Sequence, residues 1–67
     1  MHVSVNGRPR PLEDAAPTVA SLVEALALAG RRIAVELNGE IVPKSRYEAT
    51  RLADGDRLEI VGAVGGG

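Results

Sequence analysis

Ala34-Val35-Glu36-Leu37-Asn38-Gly39-Glu40-Ile41-Val42-Pro43 reads as a strand, a two-residue turn and a short return strand. Val35 and Leu37 fall on one side of an extended chain, and Glu36 on the other. That period of two marks a strand with one buried face. Asn38-Gly39 suits a type I′ turn, which needs positive φ at both central residues. Pro43 stops the return strand, Ile41-Val42, because it has no N–H for a ladder.

Upstream of this hairpin the period changes. Val19, Leu22, Val23 and Leu26 recur at i, i+3, i+4 and i+7, which builds one apolar stripe on a helix. Thr18 stands before the stripe as the expected N-cap, with Pro17 preceding it. Gly30 is the expected C′ residue, followed by Arg31 and Arg32. Further upstream, Val3 and Val5 alternate with His2 and Ser4 over Met1 to Asn6, and Asn6-Gly7 is a second hairpin turn. Arg8 to Glu13 returns as a strand with Leu12 as its main apolar contact. Pro9 and Pro11 confine that strand to a sheet edge.

Downstream, a helical turn is expected at Ser45 to Tyr47, a loop anchored by Leu52, and a tight turn at Asp54-Gly55-Asp56. Arg57 to Val64 is the last strand, with Leu58 and Ile60 inward. The element order is ββαββ, a short helical turn, then β. A helix with one apolar stripe and strands with one apolar face make a two-layer α+β domain. The most aliphatic strands, first and last, are buried best side by side, parallel and central. That arrangement is the ubiquitin-like β-grasp: a mixed sheet of about five strands with one main helix on one face. The expected division is a domain over residues 1–64 and a flexible tail over 65–67.

Composition narrows the function. The chain has 67 residues, and an internal cavity of about 300 Å³ or more would hollow out so small a core. A self-contained small-molecule enzyme is not expected on that ground. With no cysteine there is no disulfide, thiolate nucleophile or Cys-based metal site. A net charge of −1 argues against a general nucleic-acid binder, whose footprint is clustered Lys and Arg. No apolar leader or membrane-spanning run is seen, so a cytoplasmic location is expected. A monomer is expected when the chain is free.

Several stretches together resemble the ThiS family of small sulfur carriers over essentially the whole length. They are Val3-Ser4-Val5-Asn6-Gly7, Pro17-Thr18-Val19, the hairpin from Ala34 to Pro43 continuing through Lys44-Ser45-Arg46-Tyr47, Asp54-Gly55-Asp56, and the final Gly66-Gly67. Asp-Gly-Asp and Gly-Gly are shared with related carriers such as the small subunit of molybdopterin synthase. The Asn-Gly-Glu-Ile-Val-Pro run points to ThiS. Gly65 is one glycine more than the pattern requires.

The resemblance implies chemistry at the carboxyl end. The α-carboxyl of Gly67 would be adenylated and then converted to a thiocarboxylate that donates sulfur for thiamin thiazole formation. The activating partner would be a ThiF-like adenylyltransferase, which uses the ATP and Mg²⁺; the chain itself would bind no cofactor. A ThiG-like thiazole synthase would receive the sulfur, and a separate donor system would supply it. The chain would be a protein cosubstrate and no enzyme. The glycines make physical sense of this, because Gly66 and Gly67 place no Cβ beside the reacting carbonyl. Gly62 to Gly67 reaches at most about 20 Å when extended, enough to enter a partner from outside.

Other residues have plainer roles. His2 is expected to face solvent, Tyr47 to cap the core edge, and Asp54 and Asp56 to bond backbone amides of their own turn. Val61 and Ala63 fall on the sheet face opposite Leu58 and Ile60. With Ala34 they form a candidate apolar patch for a partner. Two alternatives stay open within carriers: sulfur delivery to molybdopterin or another pathway, and conjugation to lysines as a modifier. From another class, a TGS-like β-grasp module would bind RNA or regulate a host enzyme.

Overall fold

In the computed structural model residues 1–62 are described. They form strands β1 (His2–Val5) and β2 (Arg8–Pro11), helix α1 (Val19–Ala25), and strands β3 (Ile33–Leu37), β4 (Glu40–Val42) and β5 (Arg57–Gly62). A 3-10 turn over Lys44–Arg46 joins β4 to the loop that leads into β5. The sheet order is β2-β1-β5-β3-β4, with β1 and β5 parallel and the other neighbours antiparallel. Proline-bearing β2 lies at one edge and the aliphatic first and last strands lie inside. The β-grasp arrangement expected from the sequence is the one observed.

Both hairpins turn as their Asn-Gly pairs require. Asn6 and Gly7 have φ of 53° and 82°, and Asn38 and Gly39 have 51° and 89°. Strand β2 is shorter than the Arg8 to Glu13 reading, ending at Pro11. Leu12 nevertheless continues the ladder by one bond, donating from its N–H to Met1 O at 2.8 Å. Bonded and non-bonded pairs alternate along an antiparallel ladder, so Pro9 and Pro11 fall in the non-bonded positions opposite Ser4 and His2. Their missing N–H groups face outward, where no strand follows.

Helix α1 starts where expected and ends early. Thr18 Oγ1 accepts from the Ser21 N–H at 3.1 Å, and Ser21 Oγ accepts from the Thr18 N–H at 2.9 Å. This is a capping box with serine in the place usually held by Glu or Gln. At the other end, the Ala27 N–H donates to Glu24 O at 3.0 Å and the Leu28 N–H to Val23 O at 2.9 Å. Those two bonds define a Schellman motif with Ala27 at C′, at φ 59°. The expectation that Gly30 is C′ is therefore corrected. Gly30, at φ 82°, serves the next turn, in which the Arg31 N–H donates to Leu28 O at 3.0 Å. The motif is paid for by its apolar contact, since Val23 is buried and Leu28 packs on the same core.

The core lies between the helix and one face of the sheet. Val19, Leu22 and Val23 from α1 meet Val3, Val35, Leu58 and Ile60 from the strands, with Leu52 from the loop closing one end. The loop is tied to the helix start: the Val19 N–H donates to Thr50 O at 3.0 Å and the Leu52 N–H to Pro17 O at 2.9 Å. Tyr47 packs against the rim of the core, as expected.

Candidate functional site

Strand β5 carries the chain toward its carboxyl end from the middle of the sheet. It is paired with β1 at Ser4–Arg57 and Val5–Leu58, and with β3 from Leu37–Leu58 to Ile33–Gly62. On the β1 side the backbone ladder stops when β1 turns at Asn6. There the side chain of Asn6 takes over. Its Nδ2–H donates to Ile60 O at 2.9 Å, and its Oδ1 accepts from the Ile60 N–H at 2.8 Å. The N–H and C=O of Ile60 are thus both satisfied on the β1 side, and on the other side the strand stays in register with β3 as far as Gly62.

The start of β5 is fixed in a related way. Asp56 Oδ2 accepts from the Ala53 N–H at 2.8 Å, as expected of a local turn bond. Asp54 does not bond within its own turn. Its Oδ1 accepts from the His2 N–H at 2.7 Å, while the Gly55 N–H donates to His2 O at 2.7 Å. The Asp-Gly-Asp turn therefore clips onto β1, a partner too far away in sequence for spacing to show. Asn38 joins the same region, donating from Nδ2 to Asp56 Oδ1 at 3.1 Å and accepting the Arg57 N–H on Oδ1 at 3.0 Å.

The sheet face away from the helix is open. Val61 is 59% exposed and stands directly opposite exposed Ala34, which brings together two members of the expected patch. Ala63, the third, lies outside the described residues. So do Gly65, Gly66 and Gly67 and the boundary between residues 64 and 65. The patch has a member the sequence reading missed. Ile41 is 71% exposed and faces the same side, opposite Glu36. Its signal was present in the alternation: with Val42 inward, its neighbour must face outward. Glu36 in turn stands opposite Glu59 across β3 and β5. His2 is solvent-facing, as expected.

Among the described residues, no cluster of three or more His, Asp and Glu side chains is placed to hold a metal ion. Among the same residues no helix is long and apolar enough to cross a membrane. The open face has a groove lined by Ser4, Glu36, Asn38, Arg57 and Glu59.

The model of the ThiS family matches residues 3–67. The chain belongs to the ThiS family. That family comprises β-grasp sulfur carriers of thiamin biosynthesis. The sulfur carrier protein ThiS of Bacillus subtilis is 35% identical over 65 residues, covering 97% of this chain and 98% of the relative. The crystal structure of the thiamine biosynthesis protein ThiS from Geobacter metallireducens superposes with a TM-score of 0.84 at 38% identity, each chain covered in full. The thiazole synthase of Paramagnetospirillum magneticum is 46% identical over 67 residues. This chain spans 20% of that relative's length, and the same share of a second thiazole synthase from Magnetococcus marinus at 36% identity.

Proposed function

We propose that the chain is a protein cosubstrate that carries sulfur as a thiocarboxylate on Gly67 for thiazole formation. The observation that carries this reading is the family match, which runs through residue 67 and so includes the terminal glycines. A free α-carboxylate is ionised and nucleophilic at neutral pH, yet it is a poor acyl donor. Its attack on the α-phosphate of ATP expels pyrophosphate and leaves a mixed anhydride with AMP. A sulfur nucleophile such as hydrosulfide then attacks the acyl carbon and AMP departs. The oxidation state of carbon is unchanged, and the product is a thiocarboxylate.

A ThiF-like adenylyltransferase would supply the ATP site, and Mg²⁺ with it. The fold described here supplies the handle. Its central strand carries Val61 on an open face together with Ala34 and Ile41, the surface proposed for the partner. Ala63 extends the proposed patch on sequence grounds. A ThiG-like thiazole synthase is the proposed acceptor, because two relatives contain this unit within longer chains of that name.

Intact mass spectrometry tests the reading. After incubation with the adenylyltransferase of the same genome, ATP and sulfide, the mass should rise by the difference between sulfur and oxygen. A variant lacking Gly66 and Gly67 should show no rise. A wild-type chain that is never adenylated or thiolated under these conditions sinks the proposal. Adducts joined to lysine side chains would redirect it to a modifier.

A further inference from the structure

The open face is not uniformly apolar, and its charge pattern says more about what covers it. Glu36 and Glu59 are directly opposed across β3 and β5, and both are exposed. Directly opposed side chains on one face have Cβ atoms about 5 Å apart, where like charges destabilise a sheet. The pair is set among aliphatic groups. Ile41 stands on the far side of Glu36, and the Ala34–Val61 pair lies one step along both strands. Arg57 borders the acids from the next outward position on β5, where it lies opposite Ser4. The remaining outward positions, His2, Ser4, Pro9 and Pro11, lie on the β1–β2 half. The half made by β3, β4 and the end of β5 is thus an aliphatic frame around two carboxylates.

We infer that this frame receives a basic side chain, an arginine or lysine flanked by apolar groups, on the surface of a thiazole-synthase-type partner. The inference rests on the carrier reading above and names the contact that reading leaves open. The free domain carries a repulsive pair that a cation between the two carboxylates would neutralise. Ile41, Val61 and Ala34 would exclude water around it, which strengthens the attraction by lowering the local dielectric. An arginine fits best, since its planar fork bonds carboxylates through two N–H groups at once. The choice of partner follows from the relatives in which this unit and the rest of a thiazole synthase share one chain. Physical linkage raises the effective concentration of two surfaces that meet repeatedly.

The test pairs the full chain with the thiazole synthase of the same genome, expressed separately, and measures binding by calorimetry at low and moderate salt. Glu36→Gln with Glu59→Gln keeps the side-chain shapes and removes the charges. This double variant should melt at or above the wild-type temperature, because a repulsion is gone. Its affinity for the synthase should fall about ten-fold or more, and the salt dependence of binding should flatten. Glu36→Lys with Glu59→Lys should remove detectable binding while the domain still melts cooperatively. Affinity unchanged within about two-fold in the Gln variant, or a wild-type chain that does not bind the synthase, overturns the inference. The mass shift of the wild-type chain with its adenylyltransferase is read in parallel. A normal shift with unaltered synthase binding in the Gln variant rejects this contact alone, whereas a missing shift rejects the carrier reading.

Discussion

The side-chain amide of Asn6 gives Ile60, 54 residues away, both of the hydrogen bonds that a neighbouring strand would otherwise supply. Strand β1 has already turned at this level, so without Asn6 the N–H and C=O of Ile60 would face a gap. A carboxamide is one of the few side chains that offers a donor and an acceptor side by side, as a peptide group does. The same residue sits at φ 53°, a conformation that Asn tolerates better than most. Asn6 therefore does two jobs, turning β1 into β2 and extending the β1–β5 ladder.

Separating those jobs gives the first prediction. Asn6→Gly keeps the backbone free to turn and loses only the two bonds, at about 1 kcal/mol each, so about 2 kcal/mol in all. Asn6→Ala also places a Cβ in the left-handed region and should cost about 1 kcal/mol more. Urea unfolding of the three proteins checks the order. Equal stability of wild type and Asn6→Gly would show that the amide bridge contributes nothing.

Asn6 also shows what sequence reveals and what it hides. The turn was legible because Asn-Gly carries its own backbone requirement. The bridge was not, because its partner is remote and nothing in the spacing marks it. The same holds for Asp54, whose carboxylate meets the His2 amide and not its own turn. Strand order was legible from where the prolines and the aliphatic residues fall. On the candidate site, the outward pair Ala34 and Val61 followed from alternation. Ile41 is harder to read, because Ile41-Val42 looks like one apolar unit although adjacent strand residues face opposite ways. The helix end was misplaced for a related reason: the glycine rule favours Gly30, but the stripe's last contact ends the helix at Ala25 and forces Ala27 into the left-handed turn.

That misfit is a reserve of stability. Ala27 is exposed, yet it holds φ 59°. Ala27→Gly should stabilise the domain by about 0.5–1 kcal/mol, the relief of the left-handed conformation less the added freedom of the unfolded chain. In a domain of this size that raises the melting midpoint by roughly 2–8 °C. Gly30→Ala should move it the other way, because Gly30 sits at φ 82°. Calorimetric scans of both variants decide the matter, and a fall on Ala27→Gly contradicts the Schellman assignment.

Two positions on β5 separate core from open face. Leu58 is 1% exposed, inside the cluster formed with Leu22, Val19 and Val35, whereas Val61 is 59% exposed. Leu58→Ala should cost about 2–5 kcal/mol through lost burial and the cavity left behind. A small domain has only about 3–5 kcal/mol to lose, so this variant should be largely unfolded at room temperature by circular dichroism. Val61→Ala should stay within about 0.5 kcal/mol of wild type. Comparable losses at the two sites would mean that the outward face is covered in the free protein.

The helix start gives a prediction about coupling. Thr18 and Ser21 cap each other's backbone N–H groups within one closed hydrogen-bonded loop, so each bond helps to hold the geometry of the other. Thr18→Ala should cost about 1 kcal/mol, the usual worth of an N-cap. Ser21→Ala should cost somewhat less, because the Thr18 cap on the Ser21 N–H survives it. The double variant should cost less than the sum of the singles by about 0.5 kcal/mol or more, as expected for residues within one hydrogen-bond network. Thr18 also anchors the helix to the loop beyond it through its bridge to Arg51, so the loss at Thr18 should spread. Amide exchange should quicken at the Val19 and Leu52 N–H groups, which bond to Thr50 O and Pro17 O on either side of that bridge. Strict additivity, with exchange faster only within α1, would reduce the box to two independent caps and separate the helix start from the loop that leads into β5.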